Sequence, residues 1–101
     1  MTKKPSSGRR GENTVLTTAG RDPSANHGIV NPPVYHASTI LSPSYAAFEA
    51  SRKPGYEGYR YGRYGTPTSR ALDELSAALD HTDHAISVSS GLAAISCAIL
   101  A

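Results

Sequence analysis

Several things are scarce in this 101-residue chain, and each scarcity narrows what it does. There is one cysteine, Cys97, so an internal disulfide is impossible and a reducing compartment, the cytoplasm, is the default expectation. No apolar run is long enough to span a bilayer. Charge of one sign is also short: 10 basic against 8 acidic residues leave a net +2, weak support for any polyanionic partner. Lysine occurs only as Lys3, Lys4 and Lys53. No Ser-His-Asp set, EF-hand loop, Walker motif or zinc spacing appears. At this length the chain is one domain at most, and 39% hydrophobic residues make a small core.

What is present is unevenly distributed. Lys3, Lys4, Arg9 and Arg10 make the start basic and read as a solvated tail. Residues 1–53 are rich in Pro, Ser, Gly and Thr, whereas residues 72–101 hold most of the aliphatic side chains. The first part therefore reads as an arm and the second as the edge of a core. A chain that stops within the apolar run CAILA reads as the front piece of a longer protein.

Local signals place the elements. Residues 14–19 suit a short strand or extended chain, and RDPSANHG (21–28) is turn material. NPPVYHAST (31–39) is held extended by its two prolines. SPSYAAFEASRK (42–53) suits a short helix capped by Ser42, with Tyr45 and Phe48 on one face. Thr66 and Pro67 read as the cap and first position of a helix to about Asp80, with Leu72, Leu75 and Leu79 as its stripe and Asp73 and Glu74 on its solvated side. AISVS (85–89) alternates like a strand, Ser90 and Gly91 turn the chain, and LAAISCAILA (92–101) predicts a helix buried on most sides, with Cys97 as a small core residue. Helix, strand, tight turn and helix together predict the start of an α/β domain.

Two short stretches carry chemistry. In SSGL (89–92) a strand turns into a helix whose first backbone N–H groups favour an anion, above all phosphate; Gly91 leaves room and Ser90 adds a hydroxyl. The same residues also make an ordinary capped turn. In YGR (61–63), an extended backbone would aim the Tyr61 hydroxyl and the Arg63 guanidinium at one spot, with Gly62 keeping the other side open. An exposed loop with a solvated arginine is the plainer reading. His81 and His84 lack further ligands nearby, and His27 and His36 have no visible partner. The Tyr, Gly and Arg of 54–70 also suit stacking on single-stranded nucleic acid, but Glu57 and the low net charge tell against it. A third reading is a docking fragment with no chemistry of its own.

NPPVYHAST, YGRYGTPTSRALDELSAALD and SSGLAAI, in this order and spacing, closely resemble the start of the pyridoxal-phosphate enzymes of cysteine and methionine metabolism; the resemblance covers roughly residues 15–101. It implies a fold type I, α/β enzyme, with residues 1–54 forming a tail and an arm on a partner subunit and 55–101 opening the cofactor-binding domain. It implies pyridoxal 5'-phosphate as cofactor, a sulfur amino acid as substrate and a homo-oligomer, a dimer of dimers. Tyr61 and Arg63 match the pair that reaches the cofactor phosphate of the neighbouring subunit, the Tyr also assisting proton handling there. Ser90, Gly91 and Leu92 match the turn whose amides hold the phosphate in their own subunit. Thr66-Pro67-Thr68 stands where the family often has Asn-Pro-Thr, and Leu92 where it has Met. Gly65-Thr66, with Gly62, leans toward the β-lyase branch over the γ-synthase and γ-lyase branches. The family's cofactor-anchoring lysine, the aspartate on the ring nitrogen, the stacking tyrosine and the substrate-binding arginine all lie downstream, so these 101 residues alone are expected to be inactive.

Overall fold

The computed structural model describes residues 11–101; the basic cluster of the first ten positions lies outside the described residues. Among the described residues four helices follow in order, α1 (Glu12–Thr18), α2 (Tyr45–Ser51), α3 (Pro67–Asp80) and α4 (Gly91–Leu100), with one 3₁₀ turn at Gly62–Tyr64.

Helix α1 replaces the strand or extended chain expected at 14–19. The Thr17 and Thr18 hydroxyls bond back to the carbonyls of Asn13 and Thr14, a pairing open to threonine only in a helix. Glu12 in the first turn complements the helix dipole. The helix packs on α3, and that tertiary contact outweighs the β propensity of TVLTT.

Residues 31–39 form no helix, in keeping with their prolines, and are stitched to α3 and to the 3₁₀ turn before it. The Tyr35 N–H donates to Thr68 Oγ1 at 2.8 Å, and Thr68 Oγ1 donates to the Pro33 carbonyl at 2.9 Å. Further along, the Gly62 N–H donates to the Ser38 carbonyl at 2.7 Å, beside an isolated antiparallel bridge between Thr39 and Tyr61. Helix α2 begins later than its sequence suggests: Ser44, not Ser42, is the cap and accepts from the Ala47 N–H at 3.1 Å. Its Tyr45 and Phe48 rings do share a face, 6.5 Å apart.

Helix α3 starts where expected. Thr66 and Ser69 exchange bonds in a capping box with Pro67 at the first position. It ends at His81, in the left-handed region at φ 54°. Its buried residue is Ala77, whereas Leu72 and Leu79 stay exposed. Asp73 is not on a merely solvated side: its Oδ1 accepts from the Ser87 N–H at 2.9 Å and pins residues 85–89 across the helix. That segment carries no regular secondary structure, and no strand pairs with it among the described residues. A strand exists only as part of a ladder, so the helices of the expected α/β pattern are present and the sheet is not.

Helix α4, expected to be buried, is exposed along Leu92, Ile95, Ile99 and Leu100, and Cys97 is exposed with it. Across the described residues only Ser51, Thr66 and Ala77 are buried. The radius of gyration, 15.9 Å, exceeds the ~13 Å of a compact domain of this length.

Candidate functional site: two phosphate-binding elements

The first element is the 3₁₀ turn at Gly62–Tyr64. Tyr61, its cap, is extended at φ −163°, and the bridge to Thr39 fixes the backbone there. Gly62 does not leave an open side, as expected from sequence. A Cβ at this position would run into the Ala37 carbonyl, so glycine is what lets the turn sit on residues 37–38. Gly65 closes the turn at φ 125°, ψ 154°, a backbone region essentially confined to glycine, and delivers the chain into the Thr66 cap.

The turn also changes how Tyr61 and Arg63 meet. They are not alternate residues of one extended strand; Arg63 lies on the curve and folds back, its guanidinium carbon 5.4 Å from the Tyr61 ring centre and 5.4 Å from that of Tyr64. The two rings stand edge to face at 6.1 Å. Sequence reasoning places Tyr61 and Arg63 together and misses Tyr64, whose part in the cluster depends on the 3₁₀ curvature.

Arginines at 60, 63 and 70 look alike in sequence, yet the structure separates them. Arg60 donates to the Ser51 carbonyl at 3.1 Å and lies over the Tyr64 ring at 4.8 Å. Arg70 donates to the Glu57 carbonyl at 2.9 Å and lies over the Tyr59 ring at 4.4 Å. Arg63 is exposed and makes no hydrogen bond or ion pair among the described residues, so its planar set of donors is available to an oxyanion. Three of the rings that would serve a stacking platform for nucleic acid, Tyr59, Tyr61 and Tyr64, thus already have guanidinium groups beside them.

The second element is the start of α4. Ser90 is its cap, accepting from the Ala93 N–H at 3.1 Å, and the Ser90 carbonyl accepts from Ala94. The N–H groups of Gly91 and Leu92 belong to the first turn and have no helical acceptor. Nothing lies within 4 Å of where a Gly91 side chain would start. Two free amides, the positive end of a ten-residue helix and a hydroxyl proton on Ser90 make a donor set suited to phosphate. Leu92 contributes its amide; its side chain is exposed.

Each element offers donors to one side of an anion, and neither is a complete site by itself. Two hollows among the described residues, of about 430 and 440 Å³, are lined by neither Tyr61 and Arg63 nor Ser90 to Leu92. Of the lysines, Lys53 is exposed at the end of α2, away from both elements in sequence, and Lys3 and Lys4 lie outside the described residues. His27 and His36 are exposed, and among the described residues no three His, Cys, Asp or Glu side chains gather in a metal-binding group.

Comparison with known proteins places this donor arrangement in context. A Rhizobium johnstonii protein provisionally named cystathionine β-lyase is 48% identical over 85 residues, which are 84% of this chain and 20% of that protein. The L-alanine/L-glutamate racemase of Wolbachia pipientis wMel is 36% identical over 99 residues, covering 88% of this chain and 25% of the racemase. The cystathionine β-lyase of Bacillus subtilis is 44% identical over 73 residues, 72% of this chain and 17% of the lyase. Other matches carry the names cystathionine γ-lyase and cystathionine γ-synthase. The chain thus spans about a quarter or less of the length of the curated relatives it matches. Residues 13–101 match the family described as Cys/Met metabolism PLP-dependent enzyme, and the chain belongs to that family.

Proposed function

We propose that this chain supplies the amino-terminal part of a pyridoxal-phosphate-dependent carbon–sulfur lyase acting on cystathionine, and that its own contribution is to grip the cofactor phosphate from two sides. The observation that carries this reading is the state of Arg63: alone among the three arginines of its segment it keeps its donors free, with its guanidinium carbon 5.4 Å from the centres of two aromatic rings. A bidentate guanidinium on a phosphate is the strongest single contact the chain offers.

In this reading Tyr61 and Arg63 reach the phosphate bound in the neighbouring subunit, and the Ser90–Gly91–Leu92 amides hold the phosphate of their own subunit. The Tyr61 hydroxyl, which makes no hydrogen bond among the described residues, is free to donate to the phosphate or hold a proton beside it. Residues 1–54 serve as the arm on the partner, and 55–101 open an α/β cofactor domain in which 85–89 becomes a paired strand. The homo-oligomer is a dimer of dimers in a reducing cytoplasm. Bound pyridoxal phosphate supplies the electron sink that stabilises the carbanion left when the substrate α-proton is removed. The net reaction takes cystathionine and water to homocysteine, pyruvate and ammonia.

Support for β-elimination comes from the similarity to proteins named cystathionine β-lyase, at 48% and 44% identity. A γ-lyase or γ-synthase activity is the second reading, favoured by the lesser matches to proteins with those names. Assay of the full-length protein carrying this segment separates the two: pyruvate from cystathionine supports the β-lyase, and 2-oxobutyrate or cystathionine synthesis supports the alternative.

The phosphate grip has its own test. Replacing Arg63 with Ala in the full-length protein should weaken pyridoxal phosphate binding about 10- to 100-fold, the loss expected for a charge-assisted contact. Cofactor absorbance during dialysis reads it directly, and unchanged affinity would remove Arg63 from the site.

A further inference from the structure

We propose that Tyr64 is a positioning residue for Arg63, holding the guanidinium edge-outward for the phosphate; the inference rests on the role of Arg63 given above. Three contacts meet at the Tyr64 ring. The free Arg63 guanidinium lies 5.4 Å from its centre, the Tyr61 ring stands edge to face with it at 6.1 Å, and Arg60 covers it at 4.8 Å. Arg60 is itself tethered to the Ser51 carbonyl at 3.1 Å. The ring therefore links a fixed guanidinium to a free one.

The chemistry of the stack suits that role. A ring attracts a guanidinium through its face and engages none of the N–H donors, which lie in the guanidinium plane. Stacking consequently restrains Arg63 while leaving its bidentate edge for an oxyanion. An unrestrained arginine loses rotamer freedom on binding, and a pre-stacked one has less to lose. The ring matters here, and the Tyr64 hydroxyl, which forms no hydrogen bond among the described residues, does not.

The test measures the dissociation constant of the full-length apo-protein for pyridoxal phosphate, with the melting temperature of each apo-variant alongside. Tyr64→Phe should bind as the unaltered protein does. Tyr64→Leu should bind roughly two- to fivefold more weakly, the size of an exposed ring–guanidinium contact. The double variant Arg63→Ala/Tyr64→Leu should bind no worse than Arg63→Ala alone, because Tyr64 acts through Arg63. Should Tyr64→Leu not fold, Tyr64→Met is the ring-free replacement, since methionine adapts to irregular space. Unchanged affinity without the ring, or a loss that adds fully to that of Arg63→Ala, would overturn the role of Tyr64. If Arg63→Ala weakens binding while Tyr64→Leu does not, the Tyr64 inference fails alone; if Arg63→Ala has no effect, it fails together with the reading on which it rests.

Discussion

Arg60, Arg63 and Arg70 show how far a residue type is from a residue role. All three sit among tyrosines and glycines, but a carbonyl nine residues back claims Arg60 and one thirteen residues back claims Arg70. Which carbonyl comes within reach depends on where α2 ends and α3 begins, and no spacing rule within the segment encodes that. Tyr61 and Arg63 are readable as a pair because they stand two apart, although the geometry that joins them is a turn and a stack. Asp73 carries the same lesson: on a helical wheel it is solvent-facing, and in the structure it receives the Ser87 amide. Asp22 adds a pH-dependent contact. The Ser24 hydroxyl and then the Ala25 N–H hold its carboxyl below the ordinary carboxylate range. A lowered folded-state pKa makes the contribution present above the unfolded value and lost as pH falls through the folded one. In an NMR titration Asp22 should therefore titrate lower than free aspartate, and Ser24→Ala should bring it back toward normal; identical titration in both proteins would refute the assignment.

Among elements, α3 is the most readable because its start is chemically marked: Thr66, Pro67 and Ser69 specify a cap in any setting. Thr66→Ala should cost about 1 kcal/mol of stability, measured by thermal or denaturant unfolding, and a neutral result would mean that packing alone sets the helix start. Helix α1 is easily misread because TVLTT favours strands locally, and only its contact with α3 and the threonine back-bonds turn the balance. The alternation of 85–89 reads as a strand, but pairing is a property of two segments and lies outside any one of them. The 3₁₀ turn is hidden for a related reason, since its curvature depends on residues 37–39 lying beneath it. Gly62→Ala forces a methyl group into the Ala37 carbonyl and should destabilise this region by roughly 1–3 kcal/mol. Hydrogen exchange at the Gly62 amide, now bonded to Ser38, should rise in that variant; unchanged protection would show that the turn yields without loss.

For the whole molecule, the accessible surface is 8777 Å², against about 5,500 Å² for a compact monomer of this mass by surface scaling. Ile86, Leu92, Ile99 and Leu100 are each more than 75% exposed. The expectation that α4 is buried on most sides follows soundly from its composition, and the surface that would bury it is not among the described residues. The proposed chemistry has the same character. In the proposed function the two donor elements complete different sites, one in their own subunit and one across an interface.

That division can be tested by mixing subunits of the full-length protein. One variant, Arg63→Ala, lacks the grip offered to the neighbour; the other, Gly91→Val, puts a side chain where the structure leaves open space at the α4 start and blocks its own. Each homo-oligomer should bind pyridoxal phosphate weakly. In the hybrid dimer one site receives an intact α4 turn from the first subunit and an intact Arg63 from the second, so titration with the cofactor should reveal one tight site per dimer. If Arg63 and Gly91 of a single subunit served the same phosphate, every hybrid site would carry one defect. No tight site would then appear, and that result would contradict a grip shared across the interface.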